Sequence, residues 1–227
     1  METCMEEPQI KYRYERKYII PRNNFQEFIS SLYSLGYSPS YTLRTINNLY
    51  FDNFDFSSTT QNIDGLSKRK KYRIRWYGQK FEKSNKTIEI KIKDEFLNRK
   101  ENFTIPDLKL NSIKDIESFY KNFKNITYEC GNFKIYSLMN SRIPTLLNSY
   151  DRMYFTDLLK KVRITIDSNL EFVSPITNLR FKEKFIIIEA KYDRDSNFIN
   201  KFNNLSYTRY SKYVKGVLQT NSFNSNY

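Results

Sequence analysis

Charged and aliphatic residues alternate one by one in several segments of this chain, and no other feature constrains the fold as strongly. In one segment basic residues occupy every second position, at Arg69, Lys71, Arg73 and Arg75. The segments 87–96 and 162–173 have the same period, with isoleucine, leucine or valine between the polar residues. Since successive side chains of a β-strand point to opposite faces, this period predicts strands with one apolar and one charged face.

Most of the remaining chain also has strand patterns, at 11–20, 45–52, 98–105, 144–157 and 184–193. Apolar residues recur at helical spacing in fewer places: between Pro21 and Gly36, within 107–140, and in 196–205 and 207–218. Because helices are few and separate, this order favours an antiparallel sheet or barrel with helices packed outside it over repeated βαβ units. We expect a single domain over residues 10–218, with loose termini at 1–9 and 219–227.

The amino-acid composition limits the classes of function and the kinds of partner that this chain can have. The 38 Lys and Arg residues outnumber the 25 Asp and Glu, and the formal net charge of +13 predicts anionic partners. Histidine is absent, which removes the most common general base and zinc ligand. Two cysteines are too few for a disulfide scaffold. No apolar run is long enough to cross a bilayer and no signal peptide precedes the domain, so we expect a cytoplasmic protein.

The charged strand faces allow two interpretations. Each face taken alone is most simply a surface that meets water. Taken together, the faces are mostly basic, and Arg73 and Arg75 repeat at the spacing that places both on one face. The planar guanidinium group suits bidentate binding of phosphate. If the strands close into a barrel with these faces inside, the cations of the lumen repel one another unless an anion or water fills it.

Short motifs in a fixed order point to a family. They are Glu15-Arg16-Lys17-Tyr18, Leu49-Tyr50-Phe51-Asp52-Asn53, Arg73-Ile74-Arg75-Trp76-Tyr77-Gly78, Glu89-Ile90-Lys91, Tyr150-Asp151-Arg152, Val162-Arg163-Ile164-Thr165-Ile166-Asp167, Ile188-Glu189-Ala190-Lys191 and Tyr210-Ser211-Lys212-Tyr213. From about Tyr14 to Leu218 the chain resembles the catalytic domain of Vtc-type polyphosphate polymerases, the VTC domain. That domain is part of the triphosphate tunnel metalloenzyme, or CYTH-like, superfamily. Broader members begin with Glu-x-Glu-x-Lys, where this chain has Arg13 in the first position.

The resemblance implies an α+β fold, a closed antiparallel β-barrel that forms a triphosphate tunnel with helices packed outside. It implies transfer of the γ-phosphate of ATP to a polyphosphate chain, with Mn²⁺ or Mg²⁺ as cofactor. The partners are then ATP and inorganic polyphosphate, and no nucleic acid is expected. An acceptor phosphate is already anionic at pH 7, which agrees with a chain that has no histidine.

The resemblance also assigns roles to individual residues. The catalytic residues are Glu189, Arg73, Arg75 and Lys212. The metal ligands are Glu189 and, with weaker support, Glu15. The phosphate-binding residues are Lys17, Tyr150, Lys91, Arg152, Arg163, Lys191, Arg209 and Ser211.

Alternatives remain open at this stage. A hydrolase of the same fold would split tripolyphosphate or a nucleoside triphosphate with water as the acceptor. A non-catalytic module would bind polyphosphate or nucleic acid, with Tyr72, Trp76 and Tyr77 as candidate stacking residues. We interpret these aromatic residues as core residues instead. For Glu89, an internal ion pair with Lys91 or Arg75 and a share in metal binding are both open.

Overall fold

A computed structural model describes residues 13–81, 84–95, 97–105, 109–129, 133–193, 202 and 205–221. The strands in chain order are β1 (Arg13–Pro21), β2 (Ser38–Asp52), β3 (Lys68–Tyr77), β4 (Lys86–Asp94), β5 (Leu97–Ile105), β6 (Ile143–Thr156), β7 (Val162–Val173), β8 (Arg180–Lys182) and β9 (Phe185–Asp193). The α-helices are α1 (Phe25–Ser34), α2 (Ser57–Ile63), α3 (Ile116–Glu129), α4 (Phe133–Asn140) and α5 (Lys212–Thr220).

The strands form one nine-stranded sheet in the order β1-β9-β7-β6-β2-β3-β4-β5, with β8 paired to β7. Each pairing whose register the described residues define is antiparallel. The predicted α+β class with an antiparallel sheet is therefore confirmed. The predicted closure into a barrel is wrong, because the strand order has two ends, β1 and β5, that do not pair within the described ranges. A two-residue period specifies the faces of a strand but carries no information about its edges.

The chain divides into two compact units, which we describe separately. Unit 1 comprises residues 1–43, 153–167 and 185–209. In it, β9 lies between β1 and β7, with Lys17 opposite Glu189 and Arg163 opposite Lys191. Helix α1 contributes two buried side chains to the core of this unit, and the turn after it contains Gly36 with a positive φ of 80°. The core aligns the polar residues of all three strands on the opposite face.

Unit 2 comprises residues 44–152, 168–184 and 210–227. Its core joins one face of β3 and β4 to helices α3 and α4. Tyr72, Ile74 and Trp76 lie on this face of β3 and are nearly fully buried, so Tyr72 and Trp76 are core residues as predicted. Tyr77 is 47% exposed, which contradicts the core interpretation for that residue, since it is the last residue of its strand. The core on one face directs the alternating residues Arg69, Lys71, Arg73 and Arg75 to the other face.

Helix α5 is fixed at both of its ends and at its middle. Its N-cap residue, Ser211, accepts a hydrogen bond from the backbone N–H of Val214 at 3.4 Å. Tyr213 donates a hydrogen bond of 2.6 Å to the buried carboxylate of Asp52. Asp52 also accepts from the backbone N–H groups of Ser58 and Thr59 in α2, so one carboxylate joins both helices to the end of β2.

Several boundaries differ from the sequence expectations. Strand β2 begins at Ser38 rather than at residue 45, and α2 and β8 had no strong sequence signal. Helix α5 begins at Lys212, five residues after the predicted start at 207, because Ser211 provides the cap. The leader at 1–9, residues 222–227 of the tail, and most of the predicted helix at 196–205 lie outside the described residues.

The close approach of α5 to the sheet at Gly216 gives a testable prediction. A Cβ atom at this position would lie 2.5 Å from Leu146 Cδ2 and 2.5 Å from Phe172 Cδ1, and both side chains are fully buried. We expect Gly216→Ala to lower the free energy of unfolding by about 1–3 kcal/mol through overpacking. The gain in helix propensity, about 1 kcal/mol, offsets only part of this loss. Urea denaturation checks this, with the exposed Gln219→Ala on the same helix as control. A stabilised Gly216→Ala protein contradicts the packing described here.

Candidate active site

Two arginines of unit 2 converge on one carboxylate oxygen. Arg73 donates from Nε to Glu89 Oε2 at 2.6 Å, and its Nη2 contacts the same oxygen. Arg75 Nη1 lies 3.6 Å from Oε2 as well. The antiparallel register places Glu89 of β4 directly opposite Arg73 of β3, which explains why the closer of the two arginines binds it from two nitrogens.

Residues of β2, β5 and β6 make further hydrogen bonds with the residues of this cluster. Arg75 Nε donates to Asn48 Oδ1 at 2.8 Å, and Asn48 in turn donates to Asn148 Oδ1 at 3.1 Å. Arg73 Nη1 donates to the Tyr50 hydroxyl at 3.2 Å. These polar contacts orient both guanidinium groups, because each is tied to the sheet at a second point. The cluster is thus built before any ligand arrives.

Burial makes the charges in this cluster interdependent. The side chains of Arg73, Arg75 and Glu89 are 11%, 12% and 5% exposed. Burial alone would raise the pKa of Glu89, but the charges of Arg73 and Arg75 and a hydrogen bond from Lys100 lower it from 4.5 to about 2. Glu89 is therefore ionised at neutral pH. Its internal ion pair, one of the two roles left open, is the one that the structure contains, and its cationic partners are Arg73, Arg75 and Lys100.

Further cations of unit 2 surround the start of α5. Lys71 Nζ donates to the hydroxyl of Ser211 at 3.1 Å, which connects β3 to the cap of the helix. Lys212 Nζ and Arg152 Cζ lie 4.9 Å and 5.3 Å from the centre of the Tyr150 ring. Three predicted phosphate-binding residues, Tyr150, Arg152 and Ser211, thus lie near Lys71 or Lys212. A cation over an aromatic ring is attracted by the negative face of the ring.

The other predicted residue of unit 2, Lys91, lies on β4 opposite Lys71 of β3 and is exposed. Glu171 binds Lys182 and Lys80 at 2.8 Å and 2.9 Å. These two hydrogen bonds lower the pKa of Glu171 to about 2.

Unit 1 contains a second group of predicted residues, on the polar face of β1 and β9. Glu15 lies 3.2 Å from Lys17 Nζ and 3.4 Å from Lys191 Nζ, and Glu189 lies 3.0 Å from Lys191 Nζ. The two carboxylates therefore flank one cationic position. Arg163 and Arg209, also assigned to phosphate binding, belong to this unit and are exposed.

The donor set at Glu15 and Glu189 is compatible with a divalent cation. Mg²⁺ is commonly held by one or two carboxylates together with the phosphates of the substrate. Two carboxylates that already share the ammonium group of Lys191 provide oxygen ligands for such an ion. The described residues contain no group of three or more acidic, cysteine or histidine side chains arranged for a metal, so an ion at this position would need further ligands from water or substrate.

The family model of the VTC domain matches residues 12–221. The chain belongs to the VTC domain family. The predicted family is therefore confirmed, and the match covers nearly all of the described residues. No curated protein is significantly similar to the chain in sequence.

Solved structures resemble the chain at low sequence identity. A protein from Vibrio parahaemolyticus, provisionally assigned as an adenylate cyclase, has a TM-score of 0.52 at 14% identity, over 91% of this chain and 99% of its own. A protein from Bacillus halodurans with the same provisional assignment has a TM-score of 0.47 at 14% identity, over 95% of each chain. The first likeness shows that the VTC domain of this chain has the fold of that protein.

The sequence motifs missed several residues of the cluster around Glu89. Lys100 binds Glu89 Oε1 at 2.6 Å from β5, the next strand along the chain. Only the register of the β4–β5 hairpin could have indicated this contact, since Lys100 lies beside the carboxylate in space and has no motif of its own. Asn48 and Asn148 were missed as well, because single asparagines on strands have no distinctive spacing.

None of the helices within the described ranges is long and apolar enough to cross a membrane.

The depressed pKa of Glu89 predicts how stability depends on pH. Because folding lowers this pKa, the stabilisation is present above about pH 4.5 and is lost as pH falls towards about 2. At pH 7 we expect Glu89→Gln to lower the free energy of unfolding by on the order of 3 kcal/mol. Denaturant titrations between pH 7 and pH 2 measure the difference from wild type, which should shrink below pH 4.5.

The exposed Glu117→Gln on α3 is the control for that experiment and should follow wild type at each pH. A constant difference between Glu89→Gln and wild type over the whole range contradicts the ionised ion pair.

The contact of Lys212 with Tyr150 predicts a share in anion binding. We expect Lys212→Ala to weaken binding of tripolyphosphate about ten-fold, the loss of roughly one charge-assisted contact. Lys215 is a matched control, since it lies on the same helix with its Nζ 5.7 Å from the Phe181 ring. Titration calorimetry compares Lys212→Ala with Lys215→Ala. Equal affinities for the two variants would show that Lys212 has no special role.

Proposed function

We propose that this VTC domain is a metal-dependent polyphosphate polymerase, which transfers the γ-phosphoryl group of ATP to the end of a polyphosphate chain. The observation that supports this most directly is the convergence of Arg73 and Arg75 on a single anionic oxygen. Two guanidinium groups that already meet at one carboxylate oxygen are placed to meet at phosphate oxygens. Family membership points to the same chemistry.

The reaction requires alignment and neutralisation of charge rather than acid–base chemistry. A terminal oxygen of the polyphosphate chain forms a bond to the γ-phosphorus of ATP, and the bond from that phosphorus to the β–γ bridging oxygen breaks. ADP leaves with the electron pair of that bond. Since the attacking oxygen is already anionic, no residue has to remove a proton. This requirement suits a chain without histidine.

In this proposal Arg73 and Arg75 bind the triphosphate of the nucleotide, and Tyr50, Asn48 and Glu89 hold their guanidinium groups in position. Glu89 also limits the repulsion between the two arginines before the nucleotide binds. Preorganised cations lower the energy of the transition state because they need no rearrangement when charge moves to the leaving group.

The other assignments follow the family motifs. Lys212 binds the phosphate chain, together with Ser211, Arg152 and the remaining phosphate-binding residues Lys17, Tyr150, Lys91, Arg163, Lys191 and Arg209. Glu189 and Glu15 are the residues that would hold Mn²⁺ or Mg²⁺. When bound, such an ion neutralises charge on phosphate oxygens. Lys191 keeps the two carboxylates close together until then.

Incubation of the purified protein with ATP and Mn²⁺ tests the reaction class. A polymerase releases ADP without an equal amount of free phosphate and forms products that stain as polyphosphate on a gel. Release of one phosphate for each ADP would identify a hydrolase of the same fold. Binding of tripolyphosphate without any release of ADP would identify a non-catalytic module.

Glu189→Gln separates a metal-binding role from a purely structural one. We expect ADP release to fall on the order of 10²-fold or more, because the substitution removes a metal-binding charge and keeps the size of the side chain. Tripolyphosphate should still bind, since the basic residues remain. The measurement is the rate of ADP release against Mn²⁺ concentration, beside a thermal melting curve.

Glu101→Gln is the matched control, since Glu101 is 16% exposed and Glu189 15%, and each binds a lysine at 3.0 Å. If Glu189→Gln keeps its Mn²⁺-dependent rate within a few-fold and loses thermal stability, Glu189 is only an ion-pair partner.

A further inference from the structure

A basic cavity of unit 2 lies where the start of β3 pairs with the end of β4. The cavity has a volume of about 340 Å³ and is lined by α2, the start of β3, the end of β4 and Arg142. Lys68, Lys70 and Tyr72 line it and alternate with Arg73 and Arg75 along the strand, so the two sets of side chains point to opposite faces. Arg69 and Lys93, which are on the same strand faces as Arg73 and Glu89, also line the cavity, but none of the residues Arg73, Arg75 and Glu89 does.

The charged residues that line this cavity are mostly positive. Its basic residues are Lys68, Arg69, Lys70, Lys93 and Arg142, and its acidic residue is Asp94. Asp94 lies 3.6 Å from Lys68, and both side chains are more than half exposed, so this ion pair is weak and screened by salt. The net positive charge is therefore left largely uncompensated by the lining residues. An anion is the ligand that such a wall favours.

Arg142 adds a guanidinium group to the wall of this cavity. Its Nη1 donates to the backbone carbonyl of Leu138, and its guanidinium lies 3.7 Å from the centre of the Tyr72 ring. Arg142 is therefore held in place against α4 and β3.

The position of Arg142 also restricts the kind of anion. The guanidinium covers the face of the Tyr72 ring, so this ring offers no platform on which a nucleobase could stack. The rest of the wall includes lysines and the polar side chains of Asn53 and Gln61. Such groups bind phosphate oxygens and give little affinity for an apolar ring system. The chemistry therefore favours a compact ligand with several phosphate groups.

We propose that this cavity is a second phosphate-binding site, which takes a short oligophosphate independently of the cluster around Arg73, Arg75 and Glu89. The role we propose for it is binding. The proposal does not depend on polymerase activity, because the cavity and the cluster have no lining residue in common.

Lysine footprinting tests the proposal on the unmodified protein. The rate of acetylation of each lysine is measured by mass spectrometry with and without tripolyphosphate. We expect protection of Lys68, Lys70 and Lys93, and no protection of Lys121, an exposed lysine on α3 outside the cavity. Unchanged acetylation of Lys70 at saturating tripolyphosphate would overturn the proposal.

Calorimetry with Lys70→Gln provides a second measurement. We expect the variant to bind one tripolyphosphate fewer than wild type, or to bind it about ten-fold more weakly at one site, and Lys121→Gln to match wild type. Identical binding curves for Lys70→Gln and wild type would overturn the proposal. ADP release by Lys70→Gln should stay at the wild-type rate, which distinguishes failure of this site from failure of the proposed reaction.

The same footprinting with ATP and with a single-stranded oligonucleotide shows which class of phosphate compound the cavity binds. If ATP protects Lys70 as well as tripolyphosphate does, the triphosphate group itself is the determinant. Protection by tripolyphosphate alone assigns the site to inorganic chains. Stronger protection by a single-stranded oligonucleotide at matched charge concentration would show a nucleic-acid surface and would overturn the proposal.

Discussion

The buried ion pair between Glu89 and the two arginines is the interaction on which the basic face of unit 2 depends. Arg73 and Arg75 are nearly buried and point to the same face of one strand, so without an anion between them their charges would repel in a medium of low polarity. Glu89 supplies that anion permanently, and its pKa falls to about 2 as a result. Burying these three charges has a desolvation cost that their mutual attraction has to offset. Apolar residues at these positions would often make the sheet more stable than a buried ion pair does. A function therefore explains the three buried charges better than stability does.

Helix α5 is anchored in unit 2 by a buried carboxylate. Asp52 does this from the end of β2, where it accepts a hydrogen bond from Tyr213. Burial, together with the negative charge of Asp52, raises the pKa of Tyr213, so the hydroxyl stays protonated and remains a donor. Tyr213 in turn stacks on Tyr50 with ring centres 4.9 Å apart, and Tyr50 accepts from Arg73. The helix that presents Lys212 and the strand that presents Arg73 are thereby connected through two aromatic rings.

Predictions from sequence were correct where they depended only on the residue pattern within a single strand. The span Lys68–Tyr77 for β3 and Val162–Val173 for β7 were both predicted, because charged and aliphatic residues alternate there without interruption. The ion pair of Glu89 was considered only with Lys91 or Arg75, and Lys100 was missed because strand register sets that contact. The closed barrel was wrong for a related reason, since alternation does not say which edges meet. The family, by contrast, was predicted correctly, because the motifs retain their order over nearly the whole chain.

The sequence by itself determined the antiparallel α+β class, the division of β3 into an apolar and a basic face, and the family. These properties depend on local periodicity and on residue types in a fixed order, which are present before the chain folds. Tertiary structure alone decided that Glu89 neutralises Arg73 and Arg75 together, that Asp52 anchors Tyr213, and that Lys70 and Arg142 line a basic cavity. Each of these depends on the register and packing of segments far apart in sequence, because electrostatic and hydrogen-bonding energies are set by distances in space.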